Sequence, residues 1–241
     1  MEFDTVLAAI ERARNITDLS FILNEWRNHS GLAHIIYRAT SVPTCDKQNP
    51  VLLATCGEAL MRHHLEESNA RPDGAFLDGH AFLPVDWMTL DRTTSTDRRH
   101  FVEAESGIGR QGLTLQIRGP YGERALFTIV SNDADHQWYR WRYLHLRDFH
   151  LVAHYLHDRA MKIAGLRSIP GMRPLSRRER QSLQGVADGR TPQQIAESLA
   201  ISASAVHLYL RSARRKLNSA TIAQAVGKAI CLELIGINKI N

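Results

Sequence analysis

The sequence predicts an α+β protein in three stretches. Residues 1–164 read as an α/β/α sandwich around an antiparallel sheet, residues 165–173 as a linker, and residues 174–241 as an all-α, four-helix domain. Three observations carry this. Gln111 to Arg118 alternates with period two, Gly119-Pro120-Tyr121-Gly122 supplies a turn, and Glu123 to Ser131 supplies a partner strand. Gly165 to Pro174 then gathers two glycines and two prolines, the composition of a connection. Beyond it, residues 174–217 contain two capped helix starts followed by a third, basic helix.

Taken in order, residues 3–14 and 17–28 form two amphipathic helices separated by Asn15-Ile16-Thr17, with Thr17 as the expected cap of the second. Ile22, Leu23 and Trp26 lie on one side of it. Residues 31–40 and 51–55, apolar and rich in branched and aromatic residues, predict the first two strands. A helix is expected over residues 58–67, an irregular Gly-, Asp- and Pro-rich segment as far as Trp87, and another helix near 95–105. After the hairpin, residues 136–164 form a long helix presenting Trp138, Trp141, Leu144 or His145, Phe149, Val152 and Leu156 at three- and four-residue steps. Strands bracketed by helices imply helices laid over an antiparallel sheet.

In the C-terminal stretch, Ser176-Arg177-Arg178-Glu179 is S-x-x-E and Thr191-Pro192-Gln193-Gln194 is T-x-x-Q. In each, a hydroxyl can accept from a free N–H while the side chain three positions on reaches back. Pro192 falls at the first helical position, where a missing N–H costs nothing. Asp188-Gly189 ends the first helix, since glycine takes the left-handed conformation readily. Ser202 is the expected cap of a third helix running to about Leu217. On it Val206, Leu210, Ala213 and Leu217 form one apolar stripe, and His207, Arg211, Arg214 and Arg215 lie off it.

Charge follows the same division. From Pro174 onward there are 10 Lys and Arg against 4 Asp and Glu, a net of +6, so the chain's +5 leaves −1 for everything before. A charge run alone describes a solvated face; joined to two caps, a tight turn and a basic helix, it describes a surface for phosphate.

The pattern L-S-x-R-E-R-x-x-L-x-x-x-A-x-G-x-T-x-x-x-I-A-x-x-L-x-I-S-x-x-x-V-x-x-x-L over Leu175 to Leu210 resembles the helix-turn-helix of LuxR-type bacterial transcription regulators. Glu179, Leu183 and Gly189 stand at its signature positions, and a trailing helix from Ala220 to Ile235 belongs to it. The resemblance implies a homodimer on double-stranded DNA whose third helix enters the major groove. His207 and Arg211 would then read bases, with Ser204, Arg190, Thr191, Arg214, Arg215 and Lys216 completing the DNA surface. Ile222, Val226 and Ile230 would line a dimer seam, and two-fold symmetry implies an inverted-repeat site. Ala205-Val206 and Leu208-Tyr209, where the family commonly has Thr-Val and Phe-His, bear on which sequence is read.

Residues 56–131 resemble, in register, the acyl-homoserine-lactone domain of LuxR-family quorum-sensing regulators. The family's Y-P-x-x-W-x-x-x-Y falls on Cys56-Gly57-Glu58-Ala59-Leu60 through His64, its D-P on Asp73-Gly74, and its P-x-x-W on Pro84 to Trp87. Gly112-Leu113-Thr114 and Thr128 match further pocket positions. By resemblance Asp73 accepts a ligand amide N–H, Trp87 packs on the lactone ring, and Thr114 or Thr128 reaches acyl oxygens. Leu60 stands where the family has a tryptophan that donates to the lactone carbonyl, and His64 where it has a tyrosine. Losing a donor to a buried carbonyl costs about 1 to 3 kcal/mol. The resemblance therefore implies a small-molecule signal, an acyl-homoserine lactone or another, with an altered or absent lactone response. The alternatives are a true receptor with a rearranged pocket, and a ligand-independent regulator controlled by a protein partner. Read alone, Asp73 is equally a turn-capping carboxylate and Trp87 a core residue.

Other function classes have less support. No nucleophile elbow, phosphate loop or paired-carboxylate motif points to an enzyme, and no resident cofactor is implied. His150, His154, His157 and Asp158 read as a polar stripe on the long helix rather than a metal site. Cys45, Cys56 and Cys231 lack ligand spacing and are expected to stay reduced. The N-terminus has no uninterrupted apolar core and no run of 18 apolar residues occurs, so no membrane association and a cytoplasmic location are expected. Trp138, Trp141 and Tyr143 suit either an interface or packing within the domain.

Overall fold

A computed structural model describes residues 2–43, 45, 50–58, 60–61, 83–87, 109–167 and 173–236. The expected helix near 95–105, most of that at 58–67, and the ligand candidates His64 and Asp73 lie outside these residues. Two compact units are present, the first made of Met1–Gly119 and Glu123–Leu166, the second of Arg167–Asn241 with the short segment Pro120–Gly122.

The first unit opens with α1 (Phe3–Arg12) and α2 (Ile16–Ser30). The cap of α2 is Asn15, not Thr17: the Asn15 side chain accepts from Asp18 N at 2.8 Å, and the Asp18 carboxylate accepts from Arg14 N at 2.7 Å. Asparagine is among the strongest N-cap residues, and the aspartate three positions on reaches back past the cap to the Arg14 N–H.

Five strands make one antiparallel sheet in the order β2-β1-β5-β4-β3, from β1 (His34–Ser41), β2 (Leu52–Ala54), β3 (Val85–Asp86), β4 (Gln111–Arg118) and β5 (Arg124–Ser131). The hairpin is β4 and β5, registered Thr114 to Thr128 and Leu115 to Phe127, and Pro120–Gly122 forms a short 3₁₀ turn between them. β3, inside the segment expected to be irregular, pairs its Val85 with Thr114. Two residues are too few for alternation to announce a strand.

Successive side chains leave opposite faces of a strand. Ile35, Tyr37, Ala39, Leu113, Leu115, Ile117, Ala125, Phe127 and Ile129 share one buried face. They join Val6, Ile10, Leu19, Leu23 and Trp26 of α1 and α2 in a single core with Phe149, Val152 and Leu156 of α3 (Asp135–Ile163). Trp26 stacks on Phe127 at 6.4 Å between ring centroids and meets Phe149 at 5.4 Å. Trp138 is buried and stacks on Trp141 at 5.8 Å, and Trp141 packs on Phe149 at 4.8 Å, so both tryptophans are spent within the domain. His157 leaves the expected polar stripe: it is buried, its Nδ1 within 2.9 Å of the Tyr37 hydroxyl and its Nε2 within 2.9 Å of the Glu123 carboxylate.

The second unit contains α4 (Arg177–Ala187), α5 (Pro192–Leu199), α6 (Ala203–Lys216) and α7 (Ile222–Cys231). Both capping boxes are present. Glu179 N donates to Ser176 Oγ at 3.3 Å and Ser176 N to the Glu179 carboxylate at 2.6 Å, and Thr191 with Gln194 repeats the pattern. Gly189 has φ 76° just past α4. Ala200 makes the corner between α5 and α6 at φ 53°, a left-handed conformation that costs a non-glycine residue about 1 to 2 kcal/mol. Leu183, Ile195, Val206, Leu210, Ala213 and Leu217 form the core, closed by Ala225 and Ala229 of α7. The trailing helix is shorter than the expected 220–235 because Leu232 caps it and Glu233 turns to φ 54°.

Candidate nucleic-acid interface and ligand face

The two sides of helix α6 differ completely. Val206, Leu210 and Ala213 are buried, whereas Ser204, His207, Leu208, Arg211 and Arg215 are exposed. At 100° per residue these five fall on one side of the helix, opposite the buried stripe. Leu208 is 63% exposed, a large apolar side chain among polar ones. Its spacing of four from Ser204 and three from Arg211 was visible in the sequence, but a leucine draws attention to the core. On a reading face it is suited to contact a thymine methyl group.

The remaining basic residues divide by their partners. Arg190 is exposed, 3.7 Å from Asp188, and Thr191 beside it is exposed although its hydroxyl caps α5. Arg214 is half-buried and donates to the Ala220 carbonyl at 2.6 Å. Lys216 donates to the Glu179 carboxylate at 2.8 Å and to the Pro174 carbonyl at 3.1 Å. Burial alone would raise the Glu179 pKa. Bonds from Lys216, the Ser176 backbone and Ser212 outweigh it and hold the carboxyl below its usual range.

On the sheet face away from α1 to α3, the sequence candidates come together. Trp87 donates its indole N–H to Thr114 Oγ1 at 3.1 Å, and Thr114 Oγ1 lies 3.1 Å from Thr128 Oγ1. The strand pairing places Val85, Thr114, Thr128 and Ile36 in one cross-strand row. Trp87, Thr114 and Thr128 are all buried, and Leu60 packs against the small cluster of Trp87 and Val130. Gly112 makes the indole's position possible: a Cβ there would fall 2.2 Å from Trp87 Cδ2. Arg38, also buried, leaves β1 on this same side by strand alternation, a feature the sequence reading missed. Arg142 of α3 pairs with Asp86 beside Trp87.

His150 and His154 stack at 6.2 Å on α3, and burial with the neighbouring His154 lowers the His150 pKa. Among the described residues no three His, Cys, Asp or Glu side chains are grouped to hold a metal ion. Cys45, Cys56 and Cys231 are free thiols, and burial raises the pKa of Cys56. Among the described residues no helix is long and apolar enough to cross a membrane.

A capped helix-turn-helix with a basic reading face, following an α+β domain with a polar-lined sheet face, defines a two-domain DNA-binding regulator. Comparison with known proteins places it. Residues 15–160 match the autoinducer binding domain and residues 173–229 the bacterial regulatory proteins of the luxR family. The chain therefore belongs to the LuxR family of transcription regulators, which are not enzymes. It is 42% identical over 178 residues to the transcriptional activator protein RaiR of Rhizobium etli, covering 73% of this chain and 74% of RaiR. It is 25% identical over 234 residues to the transcriptional activator protein VanR of Vibrio anguillarum, covering 93% and 95%. Crystalline Escherichia coli SdiA shares the fold at a TM-score of 0.65 and 18% identity, over 98% of both chains. SdiA in complex with octanoyl-rac-glycerol matches at 0.64 and 17% identity, over 99% of this chain and 96% of that one.

Proposed function

We propose that this regulator binds an inverted-repeat promoter site as a cytoplasmic homodimer and responds to an acyl-bearing small molecule through a recognition pattern differing from that of ordinary lactone receptors. The Trp87–Thr114–Thr128 chain carries the ligand part of this reading. The indole N–H can only donate, so Thr114 Oγ1 accepts from it, and one hydroxyl proton serves the Thr114–Thr128 bond. The other is a buried donor suited to an acyl carbonyl oxygen, and SdiA, of like fold, is in complex with octanoyl-rac-glycerol. With Leu60 and His64 in place of two aromatic donors, the lactone end is held less tightly or replaced by another polar head. Asp73 remains the candidate acceptor for a ligand amide.

For the DNA surface we propose that His207, Arg211 and Leu208 meet base edges while Arg190, Thr191, Ser204 and Arg215 meet phosphates. Arg214 and Lys216, tied to Ala220 and Glu179, shape that surface before they touch DNA. Dimer contacts are assigned to Ile222, Val226 and Ile230 on α7 and to the exposed Tyr143, Leu144, Leu151 and Tyr155 on α3. The ligand test is purification from cells fed acyl-homoserine lactones or acylglycerols, followed by mass spectrometry and melting. A stoichiometric acyl compound that raises Tm, with the gain lost in Thr114→Val or Thr128→Val, is expected. Stoichiometric capture of an ordinary lactone with full stabilisation would refute the altered pocket, and no stabilisation by any acyl compound would favour the ligand-independent alternative.

A further inference from the structure

The second unit carries a cleft on the side of α4 turned away from the reading helix. Arg177, Arg180, Gln181, Gln184 and Asp188 recur at three- and four-residue steps and line it, whereas Glu179 and Leu183 leave α4 toward α6 and the core. Its volume is about 490 Å³. Ile195, Leu199, Leu234 and Ile235 supply apolar lining.

Its end is preformed. Gln184 Nε2 donates to the Gly236 carbonyl at 2.9 Å, and Gly236 N donates to Gln184 Oε1 at 2.9 Å, a two-way clasp that fixes the chain after α7. Gln184 also donates to the only carboxylate of the lining, Asp188, at 2.8 Å. Arg177 and Arg180 are exposed and, among the described residues, their side chains make no ion pair or hydrogen bond. Arg190 stands at the edge of the cleft beside the start of α5 and is left to DNA phosphate.

We propose that this cleft docks an acidic helical segment of a partner protein, with aliphatic side chains seated on the partly exposed Leu199 and Leu234 and carboxylates paired to Arg177 and Arg180. Charge decides the sign of the partner: among the described residues Arg177 and Arg180 face the cleft without an ion pair, and its Asp188 is already bonded to Gln184 and Arg190. The apolar floor decides its class. A phosphate backbone offers nothing to bury against isoleucine and leucine, whereas an amphipathic helix lays its apolar face into such a groove. Unpaired arginines at the rim steer a negative partner and set its register. Docking there leaves Ser204, His207, Arg211 and Arg215 free for DNA, so the partner and DNA bind together. This inference is independent of the ligand reading.

The test uses the full chain, a fluorescent synthetic helix with glutamates on one face and leucines on the other, and a DNA fragment selected for binding. The acidic peptide should bind saturably, and weaken about tenfold or more in the double variant Arg177→Glu and Arg180→Glu. Affinity for the selected DNA should change less than about twofold, since a pair of arginines that neutralised phosphates would take far more of it with them. The milder pair Arg177→Gln and Arg180→Gln, both changes being at exposed positions, guards against misfolding and should give an intermediate loss. Equal binding of a lysine-for-glutamate peptide, or of one with serine for leucine, would overturn the proposal. So would DNA affinity falling in step with peptide affinity, which would make the cleft part of the DNA surface.

Discussion

The two faces of the sheet use burial differently. One meets α1, α2 and α3 mainly with aliphatic and aromatic groups, and among the described residues its charged groups stand at its margins, in the His157–Glu123 and Arg142–Asp86 pairs. The other buries Thr114 and Thr128 beside Trp87, and Arg38 farther along β1. Burying polar groups stabilises a fold poorly, because each must replace hydrogen bonds it had with water. A face that does so is suited to recognition, and the contrast teaches that a fold can hold stability on one side of a sheet and leave the other for specificity. Helix α6 repeats the arrangement in miniature, with Val206, Leu210 and Ala213 inward and a reading row outward.

The contrast breaks most visibly if its faces are exchanged in importance. Phe149→Ala empties a fully buried ring site touching Trp26, Phe3 and Trp141, and should cost about 3 to 5 kcal/mol in denaturant unfolding. Thr114→Val on the other face leaves the Trp87 N–H without its acceptor and should cost about 1 to 3 kcal/mol, together with the ligand-induced rise in Tm. If Thr114→Val cost as much as Phe149→Ala and ligand stabilisation survived, both faces would be structural.

On α6 the same logic predicts losses in binding with the fold intact. Arg211→Ala should weaken the selected site by about 1 to 3 kcal/mol and relax its sequence preference, whereas Arg215→Ala should weaken all DNA alike and lower the salt slope by about one. Titrations on specific and random DNA at several salt concentrations separate them. Equal effects on both DNAs from both variants would remove the division of roles.

The smallest expected effect sharpens the picture at Glu179. Its pKa is depressed in the fold, so the unfolded chain binds its proton more readily. The resulting stability is present above about pH 4.3 and disappears as pH falls through the lower folded value. Glu179→Gln should cost about 1 to 2 kcal/mol near neutrality. The gap to the natural protein should narrow as pH falls below the unfolded value and close through the lower folded one in urea unfolding series; a gap unchanged by acid would assign the loss to packing.

The C-terminal unit was legible because its signals are local. Ser176 with Glu179, Thr191 with Gln194, and Gly189 declare their helix ends within four residues, and the α6 stripe within one helix. The hairpin and long helix were equally plain. What escaped has non-local causes. His157 became a core residue only because Tyr37 and Glu123, distant in sequence, come beside it. The β3 edge exists because β4 offers a partner, and Arg38 is placed by β1 register rather than by its neighbours in sequence. Of the ligand candidates, Leu60, Trp87, Thr114 and Thr128 gather on one side of the sheet, while the chain's local pattern gave no hint of the Gly112 notch that seats the indole.

The ammonium of Lys216 lies in the last turn of α6 and holds the Pro174 carbonyl, just ahead of α4. The segment leading into α4 is therefore held on the C-terminal end of α6, about 20 Å from Ala203 at about 1.5 Å per residue, so the start of the first helix of this unit is fixed by the far end of the third. The lysine thus works as a tether as well as a charge.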